Sequence, residues 1–193
     1  MSPHMKEDVL SELIKQIGVH TGKMTVKRGD EHVFLVMKIE FNGDETVNIS
    51  MKKYVEESIT DFPEEPKKKS STPARKDLFT VDEDSPLLDK IKKKKIHSLT
   101  MKLMYVCQRA RPDIMITIAF SCTRVSRSTD QGKKLRRLME YLQVTINEEL
   151  TLGAGSLDKI GSFVDVSFAV HQDMRSHTGG GISFGRDVSR NRK

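Results

Sequence analysis

VFLVMKIEFNGDETVNISMKKYVEESI, residues 33–59, changes its apolar period halfway along, and that change decides the fold class. Val33, Leu35, Met37, Ile39 and Phe41 point one way while Lys38 and Glu40 point the other, the two-residue period of a strand with one buried face. Asn42-Gly43-Asp44 supplies turn chemistry, and Val47, Ile49 and Met51 resume the alternation, which predicts an antiparallel hairpin. From roughly Met51 to Phe62 the period lengthens, so that Tyr54, Val55, Ile59 and Phe62 share a helical face until Pro63 ends it. Strands followed by helices, with more of each downstream, place the chain in the α+β class.

Working outward, Val9, Leu10, Leu13, Ile14 and Ile17 fall at helical spacing before Gly18, which predicts a short amphipathic helix at the start. Residues 64–86, EEPKKKSSTPARKDLFTVDEDSP, mix Pro, Ser and charge blocks and read as a linker. Ile96, Leu99, Leu103 and Val106 then make one helical stripe, broken at Arg111-Pro112. DIMITIAFSCTRV is apolar nearly all round. Its β-branched residues permit a strand, but its length and the preceding Pro favour a buried helix. Leu135, Leu138, Met139 and Leu142 mark another helix, and FVDVSF and ISFG return to strand patterning. The expected units are residues 1–63, a linker at 64–86, a helical part at 87–150 and a strand-rich part at 151–193.

No run of about 18 apolar residues is present, and no apolar segment follows a basic start, so neither a membrane span nor a secretory signal is expected. An intracellular setting, cytoplasm or nucleus, follows as the expectation. Cys107 and Cys122 stand in separate apolar segments without CxxC spacing and read as free thiols. Charge is divided unevenly: residues 1–65 carry 8 Lys/Arg against 13 Asp/Glu, and residues 66–193 carry 25 against 14. Such a basic region fits a polyanion, nucleic acid being the usual one; the plainer reading is solubility. The densest positive run, Lys92, Lys93, Lys94 and Lys95, is either a solvated helix face or a contact for backbone phosphates. The same two readings apply to Lys133, Lys134, Arg136 and Arg137, opposite the apolar stripe of their helix. With 6% aromatic residues and no Trp, base stacking is not the expected mode, so binding should be sequence-indifferent and salt-sensitive.

RARPDI at 109–114, LMEYL at 138–142 and VDVSFAVHQDMRSHTGGGISFG at 164–185 together resemble the polyprotein of copia-type LTR retrotransposons. The likeness covers nearly the whole chain. It corresponds to the end of the reverse transcriptase, from palm hairpin and thumb through the connection into the first strands of the ribonuclease H domain. VFLVMKIEF resembles the family's FLG-type palm strand, with Val36 where the family has Gly, and VNISMKKYVEESI resembles the next hairpin strand and thumb helix.

The resemblance implies two chemistries that use magnesium pairs held by converging carboxylates. For strand synthesis the family relies on an Asp-Asp pair, and this sequence contains no DD. For ribonuclease H it uses about four carboxylates on separate elements. Asp165 matches the first, as catalytic and metal-binding residue, and the others are not found before Lys193; Asp173 and Asp187 are poor substitutes in a turn and a basic tail. The expectation is a catalytically incomplete reverse transcriptase/ribonuclease H fragment that binds magnesium weakly if at all. Its implied partners are the RNA or DNA backbone and other segments of the polyprotein. The alternative is a non-catalytic protein pairing through exposed sheet edges or helices, with Asp165 as a charge that protects an edge strand. The Gly179-Gly180-Gly181 run lacks the GxxxxGK[ST] pattern and reads as flexible chain beside a strand.

Overall fold

The computed structural model describes residues 3–23, 25–44, 46–66, 68–82, 84–124, 129–153, 158–169, 174 and 176–185. It is an α+β fold whose core lies among helices. The elements run α1 (Pro3–Thr21), β1 (Glu31–Phe34), β2 (Met37–Phe41), β3 (Thr46–Ser50), α2 (Lys52–Thr60), α3 (Lys90–Cys107), a 3-10 turn (Pro112–Ile114), α4 (Met115–Thr123), α5 (Thr129–Val144), β4 (Leu150–Gly153), β5 (Ile160–Ser167) and β6 (His177–Phe184). Strands β1 to β4 form one antiparallel sheet in that spatial order, and β5 and β6 form a separate two-stranded ribbon.

The turn over Asn42, Gly43 and Asp44 closes as its residue types require. Asn42 donates its backbone N–H to the Thr46 carbonyl at 2.8 Å, and Asp44 Oδ1 accepts from the Thr46 backbone N–H at 3.1 Å. Hydrogen bonds from the Thr46 hydroxyl, then from its backbone N–H, hold the Asp44 carboxyl below the usual carboxylate range.

The strand expected over residues 33–41 is broken. Phe34 pairs with Met37 across a two-residue turn at Leu35-Val36, so VFLVMKIEF is itself a hairpin. Both central residues have positive φ, 48° at Leu35 and 62° at Val36, the backbone twist that lets two strands return on each other. A β-branched Val in that region crowds its own carbonyl. The turn is held from outside, because the Tyr105 hydroxyl of α3 donates to the Leu35 carbonyl at 3.0 Å.

The expected helix after the second hairpin forms as α2, one residue inside the anticipated start. In α3 the stripe read from the sequence is the buried one: Ile96, Leu99, Leu103 and Val106 are all 5% exposed or less. Asp89 caps α3 by accepting from the backbone N–H groups of Ile91 and Lys92 at 2.9 and 2.8 Å. Of DIMITIAFSCTRV, residues 113–123 become the 3-10 turn and helix α4, with Pro112 opening the turn where its missing N–H costs nothing, and Val125 lies outside the described residues. The segment is not buried all round, since Ile116 is 63% exposed. Leu135, Leu138, Met139 and Leu142 of α5 complete the core as the spacing predicts.

Other placements differ from the sequence reading. Strand β4, grouped by sequence with the C-terminal strands, pairs with β3 and closes the first sheet (Val47 opposite Leu152). Residues 64–86 hold neither helix nor strand among those described, yet Leu78 is buried and the Phe79 ring meets Phe120 edge-on at 5.5 Å. Helix α1 is longer than expected, and its apolar residues Val9, Leu13 and Ile17 are exposed.

Replacing Leu35→Asn and Val36→Gly together supplies residues that accept positive φ at both turn positions. The pair is expected to raise stability by about 1 kcal/mol, measured by urea denaturation at constant m-value. Unchanged or lower stability would show that the turn conformation is relaxed as it stands.

Candidate nucleic-acid interface

Four groups of side chains bear on function, and the most buried of them is a clamp at RARPDI. Arg111, 3% exposed, sits where α3 has ended and the 3-10 turn begins. Its Nε donates to Asp113 Oδ1 at 3.0 Å and its Nη2 to Asp113 Oδ2 at 2.8 Å. The other side of the fork donates to the Thr145 carbonyl (2.9 Å) and hydroxyl (2.7 Å), just past the end of α5. Tyr141 of α5 donates its hydroxyl to Asp113 Oδ2 at 2.8 Å. Burial pushes the Asp113 carboxyl up, but the Arg111 hydrogen bonds and charge overcome it and hold it below the ordinary range; burial and the Asp113 carboxylate push Tyr141 up. The clamp fixes the junction of three elements.

Cys107 and Cys122 are free, as expected. Burial, then the neighbouring Cys122 and Asp113, pushes the Cys107 thiol up to about 11, which leaves it a protonated, packing group near neutral pH.

Asp165 lies in β5 opposite Gly179, exposed on both its strand and its neighbours. Register places Phe163, Ser167, His177 and Gly181 on the same face of the ribbon, none of them a carboxylate. His177 turns toward the body of the protein, its ring 5.0 Å from Phe79. Among the described residues no three His, Cys, Asp or Glu side chains gather into a group able to hold a metal ion. A single carboxylate does not fit a magnesium pair, and no catalytic step is assigned to it. Asp173 and Asp187 lie outside the described residues. Gly179, Gly180 and Gly181 are paired within β6.

Lys92, Lys93, Lys94 and Lys95 occupy the first turns of α3 and are all exposed. Lys92 has one ion-pair partner, Asp89, at 3.9 Å across an open surface, a contact of little energy. Four cationic side chains at the positive end of a helix are placed against its dipole, offset in part by the capping carboxylate of Asp89.

The cations of α5 are disposed differently. Lys134 donates to the Thr80 carbonyl, Arg137 Nη2 to the Thr72 hydroxyl at 2.8 Å, and Arg136 Nε lies 3.0 Å from Glu64 Oε2. They turn toward residues 64–80, and only Lys133 is open to solvent. The structure therefore does not join the two basic groups named from sequence into one surface. The clamp was missed because its signal, a Pro-flanked Arg and Asp two residues apart with a distant Tyr and Thr, depends on the fold to bring α5 close.

No helix is long and apolar enough to cross a membrane among the described residues. No family model, curated protein or solved structure matches the chain.

Asp113→Asn leaves a buried guanidinium without its counter-charge. Because Asp113 is about one-third exposed, the expected loss is at the lower end for such pairs, about 2–3 kcal/mol in denaturant unfolding. As the folded pKa is depressed, this stabilisation is present above the ordinary carboxylate range and is lost as pH falls through the folded value, below about pH 4. The variant's stability should accordingly depend less on acid than the parent's, and parallel acid profiles would refute the assignment.

Proposed function

We propose that this chain is a non-catalytic nucleic-acid-binding protein, derived from the reverse transcriptase/ribonuclease H part of a copia-type element, that holds the phosphate backbone at the exposed start of α3. The observation that carries the reading is the placement of Lys92–Lys95. A solvated helix face has no reason to set four cations against the helix dipole in its first turns, whereas an external polyanion turns the same arrangement into attraction. The lone Asp165 supports an origin in a metal-dependent family and no present chemistry. The partner is RNA or DNA backbone, read without regard to sequence.

Filter binding with a 30-nucleotide duplex tests this. If four lysines displace counterions, raising salt from 50 to 200 mM weakens binding on the order of 100-fold. Substituting Lys92, Lys93, Lys94 and Lys95 by Gln should remove most of that slope. Lys92→Glu should weaken binding more than Lys92→Gln, because it sets an anion where the backbone phosphates would lie. A flat salt response in the parent, or binding indifferent to these substitutions, sinks the proposal.

One observation favours a second reading, a protein that pairs through its sheet. Ile160, Val164 and Val166 share a ribbon face with Ile182 and Phe184, and all five are 47–76% exposed. Under this reading light scattering gives a mass above the monomer that Val164→Lys returns to one chain; a monomeric parent at high concentration removes it.

A further inference from the structure

The cleft between α5 and residues 64–80 is not explained by the exposed lysines of α3. It encloses about 690 Å³, within the range of roughly 300–1,000 Å³ usual for small-molecule sites. Six cations line it, Lys68, Arg75, Lys133, Lys134, Arg136 and Arg137, against four carboxylates, so two positive charges are left over.

The internal contacts do little to neutralise that excess. Arg137 gives its hydrogen bond to a neutral oxygen, the Thr72 hydroxyl. Arg136 faces the Glu64 carboxylate in an ion pair without hydrogen-bond alignment. Arg137 Nε is shut away from solvent and has no acceptor among the described residues. Lys68, Arg75 and Lys133 likewise have no ion-pair partner among them. A buried guanidinium N–H without an acceptor is costly and is rarely kept in a folded protein unless something else accepts from it.

We propose that this cleft is a binding site for a linear oligophosphate, either free or as the tail of a nucleoside triphosphate. Arg forks match phosphate oxygens geometrically, and Lys adds charge without fixing orientation. Lys133, Lys134, Arg136 and Arg137 lie within little more than one turn of one helix, a clustering that suits an anion with several charges better than a single carboxylate. Lys68 and Arg75 close on it from the opposite wall. The bound anion also ties residues 64–80, which hold no helix or strand among those described, to α5.

Calorimetric titration of the full chain at 150 mM NaCl, with sodium tripolyphosphate and separately with ATP, tests the site. Saturable one-to-one binding of tripolyphosphate is expected, weakened at least tenfold by Arg137→Gln and at least fivefold by Lys133→Gln with Lys68→Gln, and unaltered by Lys92→Gln. Equal affinity for the two ligands identifies the phosphate chain as the whole determinant, and tighter ATP binding adds a contact to the nucleoside; both support the site. No saturable binding, or binding indifferent to both sets of substitutions, overturns it. Should Arg137→Gln fail to fold, the exposed Lys133 and Lys68 pair decides. Loss of duplex binding on α3 with tripolyphosphate binding intact would remove the earlier reading and leave this one.

Discussion

The Arg111 guanidinium organises the molecule because it is a charge buried deep among elements that are far apart in sequence. It holds Asp113 two residues away and Thr145 thirty-four residues away in one planar fork. A buried ion of this kind is stable only if nearly all its donors are satisfied, so the end of α3, the 3-10 turn and the end of α5 must meet in one geometry. The consequence reaches the sheet. The chain leaves Thr145 in a fixed direction, Asn147 accepts from Lys52 at 2.7 Å, and β4 arrives beside β3 with Leu152 opposite Val47. The closing strand of the sheet is thus set by a contact made in the helices.

Apolar burial follows the same division. The fully buried large side chains, among them Leu103, Ile114, Ile118, Leu138 and Leu142, belong to helices and the 3-10 turn, while Met37 and Ile49 of the sheet only lean on that core. Helix α1 and the β5–β6 ribbon bury still less. Opening free energies scale with buried contacts, so these two parts lie at the low-stability end of the protein and the α3–α5 core at the high end.

Legibility in the sequence tracked this gradient. The stripes of α2, α3 and α5 were readable because each repeats its apolar face within one element, and the Asn42-Gly43-Asp44 turn because Asn, Gly and Asp each announce it locally. The Leu35-Val36 turn was not, since both residues are strand formers and neither prefers positive φ; alternation simply ran through them. That Val36 stands where a glycine was expected from the resemblance was the one available hint. The β3–β4 pairing joins segments about a hundred residues apart, and no periodicity within either strand encodes a partner. Leu78 and Phe79 were hidden in a segment whose Pro, Ser and charge content masked two apolar residues sufficient to dock it. At the candidate sites, the exposed lysines of α3 were legible as a run. That the α5 cations face inward could not be seen, because their orientation depends on where residues 64–80 lie.

Two basic groups of similar composition therefore stand in different physical settings. On α3 the lysines stand in high-dielectric solvent, where each interaction is weak, additive and easily screened, which suits a long, diffuse partner held by many replaceable contacts. On α5 the guanidinium groups are partly withdrawn from water, where charge interactions strengthen and an unmatched donor is expensive, which suits a compact partner held in one place. Composition gives the two groups the same sign, and burial decides that only the second can be selective.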